Sequence, residues 1–480
     1  MAPSTSSAGS ASPVADPLGY AATSYWLESC ADDLTPRQAL RGEIDADVAI
    51  LGAGYTGLWT AYELLRSDPS LKVAILEREI AGFGASGRNG GWVASGLNAS
   101  SARLARRFGQ DGMTAIEDAV AGAVDAVGAA IAREGIDADY TKGGSLTVAR
   151  GPEQLPALEA HWQSLEAAGR AAGYRRLDAA ETAERIRIEG ALGSVYGSQY
   201  AVVHPGKLVR GLARAVERLG GTIYEQTAVT DVEPGALPQL RPALRTANGL
   251  VRARAVVLAG EAYLTQLRQL HRSLLPLYSL IVLTEPVSDG DWATIGWQAR
   301  EVLASYRLSV DYLSRTADGR ILFGGRGAPY RFGSQIEPAF DRDARTHALL
   351  RAFVEAWFPS LRGIGFGHAW GGPLGMPRDW IPTFAFDPRS GIASGRGYTG
   401  HGVSTANLAG RVLAGLILGE RNELTALPLV NHRSPNWEPE PFRWIGVRFT
   451  QESLLRLDAR TARTGKPPTG RSLAERIADH

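Results

Sequence analysis

The sequence predicts an α/β protein built on a discontinuous, Rossmann-like dinucleotide-binding domain. A second, α+β domain with a mixed or antiparallel sheet is expected beside it. Three stretches predict this. Asp47–Glu77 reads as strand, glycine turn, helix, strand and acid. Val251–Gly260 is a strongly apolar strand ending in small residues, the pattern of a strand returning to the first sheet. Between Leu277 and about Gly325 the pattern changes to β-rich, aromatic sequence.

Taken in order, residues 1 to about 24 are rich in Ala, Ser, Pro and Gly and hold no Lys or Arg. They are expected as a disordered arm, and without a charged n-region and apolar core they do not read as a signal peptide. Tyr25 and Trp26 begin ordered sequence as aromatic anchors. Val48–Leu51 is wholly apolar without alternation, as a parallel strand covered on both faces should be. Gly52, Gly54 and Gly57 follow at the spacing G-x-G-x-x-G. The first suits a tight turn, the second removes a side chain where a pyrophosphate approaches, and the third lets a helix pack closely. That helix, Tyr55–Arg66, would aim its N–H groups and positive dipole end at the phosphates. Lys72–Leu76 is the second strand. It ends at Glu77, about twenty positions past Gly57, where a carboxylate accepts hydrogen bonds from an adenosine ribose and repels a 2′-phosphate. FAD or NAD therefore fits better than NADP.

Beyond it come a glycine-dense loop at Ala81–Gly91, an Ala-rich helix at Ser101–Glu134 and a strand at Gly144–Ala149. Helices are expected at Glu153–Ala172 and Ala179–Ile186, the second with Asp178 as N-cap. His204-Pro205 starts a helix to Leu219, and Thr222–Tyr224 is a short strand. The β-rich part comprises LYSLIVLTEP, ASYRLSVDY and RILFGG. Asp341–Phe358 is an amphipathic helix, and Val403–Leu418 an apolar one. Trp437, Phe442, Trp444 and Phe449 suggest a strap docked on the body. The expected division is dinucleotide-domain segments at 45–140, 197–262 and 367–430, second-domain segments at 141–196 and 263–366, and a strap and helix at 431–480.

Composition excludes several functions. With 51 basic against 50 acidic residues there is no electrostatic footprint for nucleic acid. The single cysteine, Cys30, rules out intrachain disulfides and Cys-based zinc or iron–sulfur sites, and the eight histidines show no metal-ligand spacing, so no metal is expected. No apolar run approaches a membrane span, and a cytoplasmic protein is expected. Nothing in the sequence sets the oligomeric state.

Two loops narrow the chemistry. In G-F-G-A-S-G-R-N-G-G-W, five glycines give a backbone that can approach a flat ligand, while Ser86, Arg88 and Asn89 can supply donors to a pyrophosphate or to ring carbonyls. Far downstream, Gly397-Tyr398-Thr399-Gly400-His401-Gly402 precedes the apolar helix. Together with the first motif and Glu77, these segments resemble the FAD-binding amine and amino-acid oxidases, the D-amino-acid, glycine, sarcosine and γ-glutamylputrescine oxidase type. The resemblance runs from about Tyr25 to at least Gly419.

That resemblance implies an FAD-binding Rossmann-like domain and non-covalent FAD, since the loop after Glu77 contains no histidine and Cys30 lies elsewhere. The implied cofactor set is Gly52, Gly54, Tyr55, Thr56, Gly57, Glu77 and Arg78; then Gly84, Ala85, Ser86, Arg88, Asn89, Gly90 and Gly91; then Val229, Ala259 and Gly260; and finally Gly397, Tyr398, Gly400, His401, Gly402 and Val403. The implied reaction moves hydride from the carbon beside a neutral amine to flavin N5, releasing an imine, with oxygen or another acceptor taking the electrons and peroxide formed from oxygen. An apolar, well-positioned site suffices for this, so no catalytic triad is required. Catalytic and substrate candidates are His401, Tyr278, Arg326, Tyr306 and Trp370. Arg326 could clamp a carboxylate, whereas Glu285 or Asp379 could instead meet a distant ammonium.

The departures matter. Sarcosine-oxidase-like members use a lysine near the flavin for reaction with oxygen, and the family often has a lysine shortly after the histidine, where this chain has Ser404. Only Lys72, Lys142, Lys207 and Lys466 are present. An FAD dehydrogenase using another acceptor therefore stays open, as does a non-catalytic flavoprotein or electron-transfer subunit. An NAD-linked dehydrogenase would need neither distinctive loop.

Overall fold

The computed structural model describes residues 15–236, 239–326, 330–470 and 473, with Arg326 described by its backbone alone. Val48–Leu51 lies within a six-stranded sheet ordered Thr383–Asp387, Ile392–Arg396, Ala255–Leu258, Val48–Leu51, Val73–Leu76, Thr222–Tyr224. All neighbours are parallel except the pair Thr383–Asp387 and Ile392–Arg396. Covered on both faces, its central strands need the unbroken apolar runs seen in the sequence.

The helix Tyr55–Ser67 buries Leu58, Trp59, Tyr62 and Leu65, because the sheet and the helix Gly402–Leu418 enclose it. The two helices approach so closely that a Cβ at Gly410 would lie 2.5 Å from that of Trp59. Truncating such a buried tryptophan costs about 3–5 kcal/mol. This packing draws the starts of both helices to one end of the sheet. The long helix Ser101–Glu134 forms as the sequence predicts, interrupted at Gly109, where φ is 78°.

The apolar run Val251–Gly260 is not one strand. Gly249–Arg252 belongs to a four-stranded sheet with Gly42–Asp45, Ala243–Thr246 and Val229–Glu233, while Ala255–Leu258 joins the parallel sheet. The amides of Arg254 and Ala255 both donate to the Asp47 carbonyl, marking where the chain crosses.

An eight-stranded sheet contains, in order, Phe366–Met376, Leu275–Thr284, Ile321–Arg326, Asp311–Arg315, Val302–Ser305, Ser145–Ala149, Gly193–Gly197 and Tyr174–Asp178. Only Val302–Ser305 and Ser145–Ala149 run parallel, so the sheet is mixed. Phe366–Met376 pairs along its length with Leu275–Thr284. Residue 367 therefore does not start a segment of the parallel sheet as the sequence division has it, because the chain returns only at Thr383. The helix Ala344–Trp357 covers this second sheet through Leu350, Val354 and Trp357.

Residues 15–24, expected within the disordered arm, are structured. The Asp16 carboxylate accepts from the amides of Tyr20 and Ala21, both at 2.8 Å, and Tyr20 is buried. Residues 1–14 lie outside the described residues. Tyr25 and Trp26 pack with Ile281, Leu283, Leu322 and Trp370, as anchoring aromatics should. In the C-terminal stretch Trp437 docks, donating to the Met376 carbonyl at 2.7 Å, whereas Phe442, Trp444 and Phe449 on the helix Phe442–Thr464 face solvent. Among the described residues, no helix is long and apolar enough to cross a membrane.

Candidate active site

A cavity of about 410 Å³ opens at the carboxyl ends of the parallel strands, where Leu51, Leu76 and Ala259 border it. Two helices begin there, Tyr55–Ser67 at Gly54 and Gly402–Leu418 at His401. Neither has a side chain capping it in the usual way. A helix start leaves several N–H groups without intrahelical partners and carries a partial positive charge. Two such starts on one cavity suit a ligand with negative charge at two places. FAD, with its pyrophosphate and its reducible ring, is such a ligand.

At the first helix Gly54 leaves space that a side chain would fill, since a Cβ there would sit 3.0 Å from Ser86 Oγ. The Tyr55 amide donates to that hydroxyl at 2.8 Å, which brings the second glycine loop against the first. Gly57 has no alternative, because a Cβ would lie 2.0 Å from the Gly52 carbonyl. Glu77 accepts from the amides of Ala53 at 2.9 Å and Glu79 at 3.0 Å. Burial pushes its carboxyl up, against the pull of those two amides. The carboxylate is thus held in place on the cavity wall, with Arg78 and Val229 lining the same end.

At the other end, Tyr398 is buried and its hydroxyl lies 2.7 Å from Thr56 Oγ1. The Thr399 carbonyl accepts from Asn98, and His401 Nδ1 lies 2.6 Å from the Gly96 carbonyl. A carbonyl only accepts, so that nitrogen carries the proton. Ser404, standing where the lysine would be, donates to the Ala94 carbonyl at 2.6 Å.

Of the expected cofactor residues, Gly52, Gly54, Tyr55, Thr56, Glu77 and Arg78 line this cavity, as do Gly84, Ala85, Ser86 and Asn89. So do Val229, Ala259, Gly260, Tyr398, Gly400, Gly402 and Val403. Gly57, Gly90, Gly91, Gly397 and His401 are not among its lining residues. Gly90 packs against the Tyr312 ring and Gly91 against the Val203 carbonyl. Asn89 spends its side chain folding its own loop, donating to the carbonyls of Ala85 and Ser86 and accepting from Gly91.

Arg88 is a correction. It is not among the cavity's lining residues; its guanidinium donates to the Phe83 carbonyl at 2.8 Å, pairs with Asp341 and stacks over Phe83 at 4.5 Å. A buried cation needs a carboxylate, and the one that serves it comes from 253 residues further along the chain.

The substrate candidates also fall elsewhere. Trp370 is 1% exposed and donates to the Arg88 carbonyl at 2.9 Å, in the core with Trp26. Tyr278 is buried, its hydroxyl set between the carbonyl and amide of Glu337 at 3.4 and 3.3 Å, and burial pushes its phenol up. Tyr306 lies beside His161, 2.9 Å from its Nδ1, against the helix Leu155–Ala167. None of the three borders the cavity. Their aromatic area is used in packing. The Arg326 side chain lies outside what is described, and its backbone pairs with Ser279. Of the two acids weighed for an ammonium, Glu285 pairs with Arg320 at 3.1 Å and Asp379 with His432 at 2.7 Å.

Sequence reasoning missed Glu261. It lines the cavity directly after Gly260 and accepts from the amides of Gly397 and Tyr398, both at 3.2 Å. Its second oxygen is buried with no partner among the described residues. Burial pushes the carboxyl up to about 7, although those amides and Arg396 pull it down. The signal was available: a charged residue immediately after a buried strand and its small-residue turn. Of the four lysines, none lines the cavity.

Fold and cavity together define a dinucleotide-dependent α/β oxidoreductase. The chain belongs to the FAD dependent oxidoreductase (DAO) family, whose model matches residues 47–416. It is 30% identical over 414 residues to gamma-glutamylputrescine oxidoreductase of Escherichia coli K12, covering 85% of this chain and 92% of the relative. Glycine oxidase of Geobacillus kaustophilus is 25% identical over 385 residues, 78% of this chain and 93% of that one. The crystal structure of that glycine oxidase superposes with a TM-score of 0.67 at 21% identity, over 81% of this chain and 99% of the other. L-Proline dehydrogenase from P. horikoshii gives 0.64 at 18% identity, over 81% and 96%. The protein is thus an FAD-dependent oxidoreductase acting on amine or amino-acid type substrates.

Proposed function

We propose that this protein oxidises a C–N bond of a small amine or amino acid, giving an imine and, with oxygen, hydrogen peroxide. The observation that carries it is the single cavity bounded by Glu77 and Val229 at one end and by Tyr398 and the Gly402–Leu418 helix start at the other. FAD bound there would supply hydride acceptance at N5. The chain's residues do the rest. Glu77 would hold the ribose, the amide groups beyond Gly54 the pyrophosphate, and the amides at Gly402 and Val403 the ring edge that gains charge. Thr56 and Tyr398 would hold these two ends in register. Non-covalent attachment is supported by the chain's own residues: among the described residues no histidine lines the cavity, and Cys30 is buried elsewhere with its thiol donating to the Leu27 carbonyl. The name of the E. coli relative makes γ-glutamylated or free polyamines the first substrates to try, followed by glycine and other amino acids.

A second reading, a dehydrogenase passing electrons to another acceptor, rests on one observation: none of Lys72, Lys142, Lys207 and Lys466 borders the cavity. Turnover of an amine panel, followed in parallel by peroxide release and by reduction of an artificial acceptor, separates the two. Peroxide stoichiometric with imine supports the oxidase. Acceptor reduction without peroxide supports the dehydrogenase. Neither signal with any amine or amino acid would leave the flavoprotein without the proposed activity and sink both readings.

A further inference from the structure

A second cavity, of about 400 Å³, shares no lining residue with the first. Its walls come from the N-terminal anchors Tyr25 and Trp26, the start of the helix Pro205–Arg218, and the end of the mixed-sheet strand Asp311–Arg315 with the turn that follows it. Three cationic side chains border it: Lys207, Arg300 and Arg315.

The charges there are unevenly matched. Lys207 is served by Asp139 at 3.0 Å and Asp137 at 3.5 Å. Asp318 is served by the Tyr25 hydroxyl at 2.8 Å, by Thr316 and by Arg320 at 2.8 Å. The two remaining arginines have no carboxylate within ion-pair distance among the described residues. Arg300 donates to the carbonyls of Arg315 at 3.1 Å and Asp139 at 3.0 Å and to Thr141 Oγ1 at 2.8 Å. Arg315 donates to the Trp297 carbonyl and stacks 3.9 Å over Trp292. Burial lowers the pKa of both guanidiniums; Asp139 and Asp318, which also border the cavity, act on Arg300 as opposite charges and Arg315 as a like charge.

The remaining groups leave that imbalance in place. His204 caps the helix by accepting the Lys207 amide at its Nδ1, at 3.1 Å, so its Nε2 carries the proton and donates to Ser29 Oγ at 3.0 Å. Burial presses its pKa down to about 4, so at neutral pH the imidazole is uncharged. The start of a fourteen-residue helix adds its positive dipole end. Two half-buried arginines with no carboxylate at ion-pair distance among the described residues border one cavity at a helix start, an arrangement that an anion joining them would stabilise.

We propose that this second cavity binds a small oxyanion, a carboxylate or a phosphate, between Arg300, Arg315 and Lys207. The planar guanidinium fork matches either group, and Tyr25 and Trp26 offer an apolar wall for whatever carries it. The site lies outside the FAD cavity, so the proposal does not depend on the substrate reading.

The test is isothermal titration of the FAD-loaded full chain with sodium succinate and with sodium phosphate, against sodium chloride at matched ionic strength. Saturable binding of either oxyanion is expected, and the arm that binds identifies the chemistry. Arg315→Gln and Arg300→Gln should each weaken it roughly tenfold or more, as loss of a charge-assisted hydrogen bond does. If either variant fails to fold, Lys207→Gln at the cavity rim takes its place, with the same expectation. No saturable binding beyond chloride by the unaltered protein would overturn the site, and so would binding that survives the substitutions.

Discussion

The hydroxyl groups of Thr56 and Tyr398 lie 2.7 Å apart, across 342 residues of sequence. One belongs to the first turn of the helix after the glycine motif, the other to the loop before the C-terminal helix. Their hydrogen bond fixes the distance between two helix starts that face a single cavity. Both groups are buried, so removing one strands the other. Tyr398→Phe and Thr56→Val should each cost about 1–3 kcal/mol. The double variant should cost less than their sum, as a cycle of urea unfolding curves would show. Strict additivity would mean that the bond couples nothing.

Glu77 is positioned by two amides before any ligand arrives. Its carboxylate is expected to accept from the ribose hydroxyls of FAD, so Glu77→Ala should weaken FAD binding roughly ten- to a hundredfold. Quenching of flavin fluorescence on addition of apoprotein measures this. Unchanged affinity would contradict the ribose assignment.

The ion pair of Arg88 and Asp341 joins the cofactor loop to the segment that covers the mixed sheet. Burial pushes the Asp341 carboxyl up and Arg88 pulls it back. Arg88→Met leaves that acid buried and unpaired, at a cost of about 3–5 kcal/mol. Arg88→Met combined with Asp341→Leu should recover most of it. Denaturant midpoints of the three variants decide, and no recovery in the double variant would show that the arginine acts through something other than its charge.

Glu261 sets a pH dependence. Its carboxyl is held at about 7 in the folded protein, against about 4.3 in an unfolded chain. The folded state therefore keeps a proton that the unfolded state has lost, so stability falls as pH rises between those values and levels off above the higher one. Glu261→Gln keeps an oxygen for the amides of Gly397 and Tyr398 and removes the titration. Relative to the unaltered protein it should gain on the order of 1–3 kcal/mol between about pH 5 and pH 8. Unfolding curves that stay parallel across that range would contradict the assignment.

What was legible in the sequence was local. Val48–Leu51, the glycine spacing, Glu77 and the loops ending at Gly91 and Gly402 each need only neighbouring residues to act, and each contributes to the lining of one cavity. What was not legible depends on partners far along the chain. Arg88 looked like a ligand donor because its neighbours are glycines, yet its charge is claimed by Asp341, 253 residues away. Trp370 and Tyr278 carry the residue types of a substrate pocket, and the mixed sheet uses them as core. The apolar run from Val251 hid a crossing between two sheets, since both strands are equally hydrophobic and only the bonds to Asp47 separate them. Glu261 went unread although its local signal, an acid directly after a buried strand and its small-residue turn, was there, because its amide partners at Gly397 and Tyr398 lie far along the chain.

The central claim is that FAD in the Glu77-to-Val403 cavity is reduced by an amine. The most direct test is anaerobic mixing of the yellow, FAD-loaded protein with polyamines, γ-glutamylated polyamines and amino acids, followed by flavin absorbance. At least one is predicted to bleach the flavin to its reduced form, with the matching imine or carbonyl product recovered. A flavin that dithionite bleaches and none of these substrates does would contradict the account.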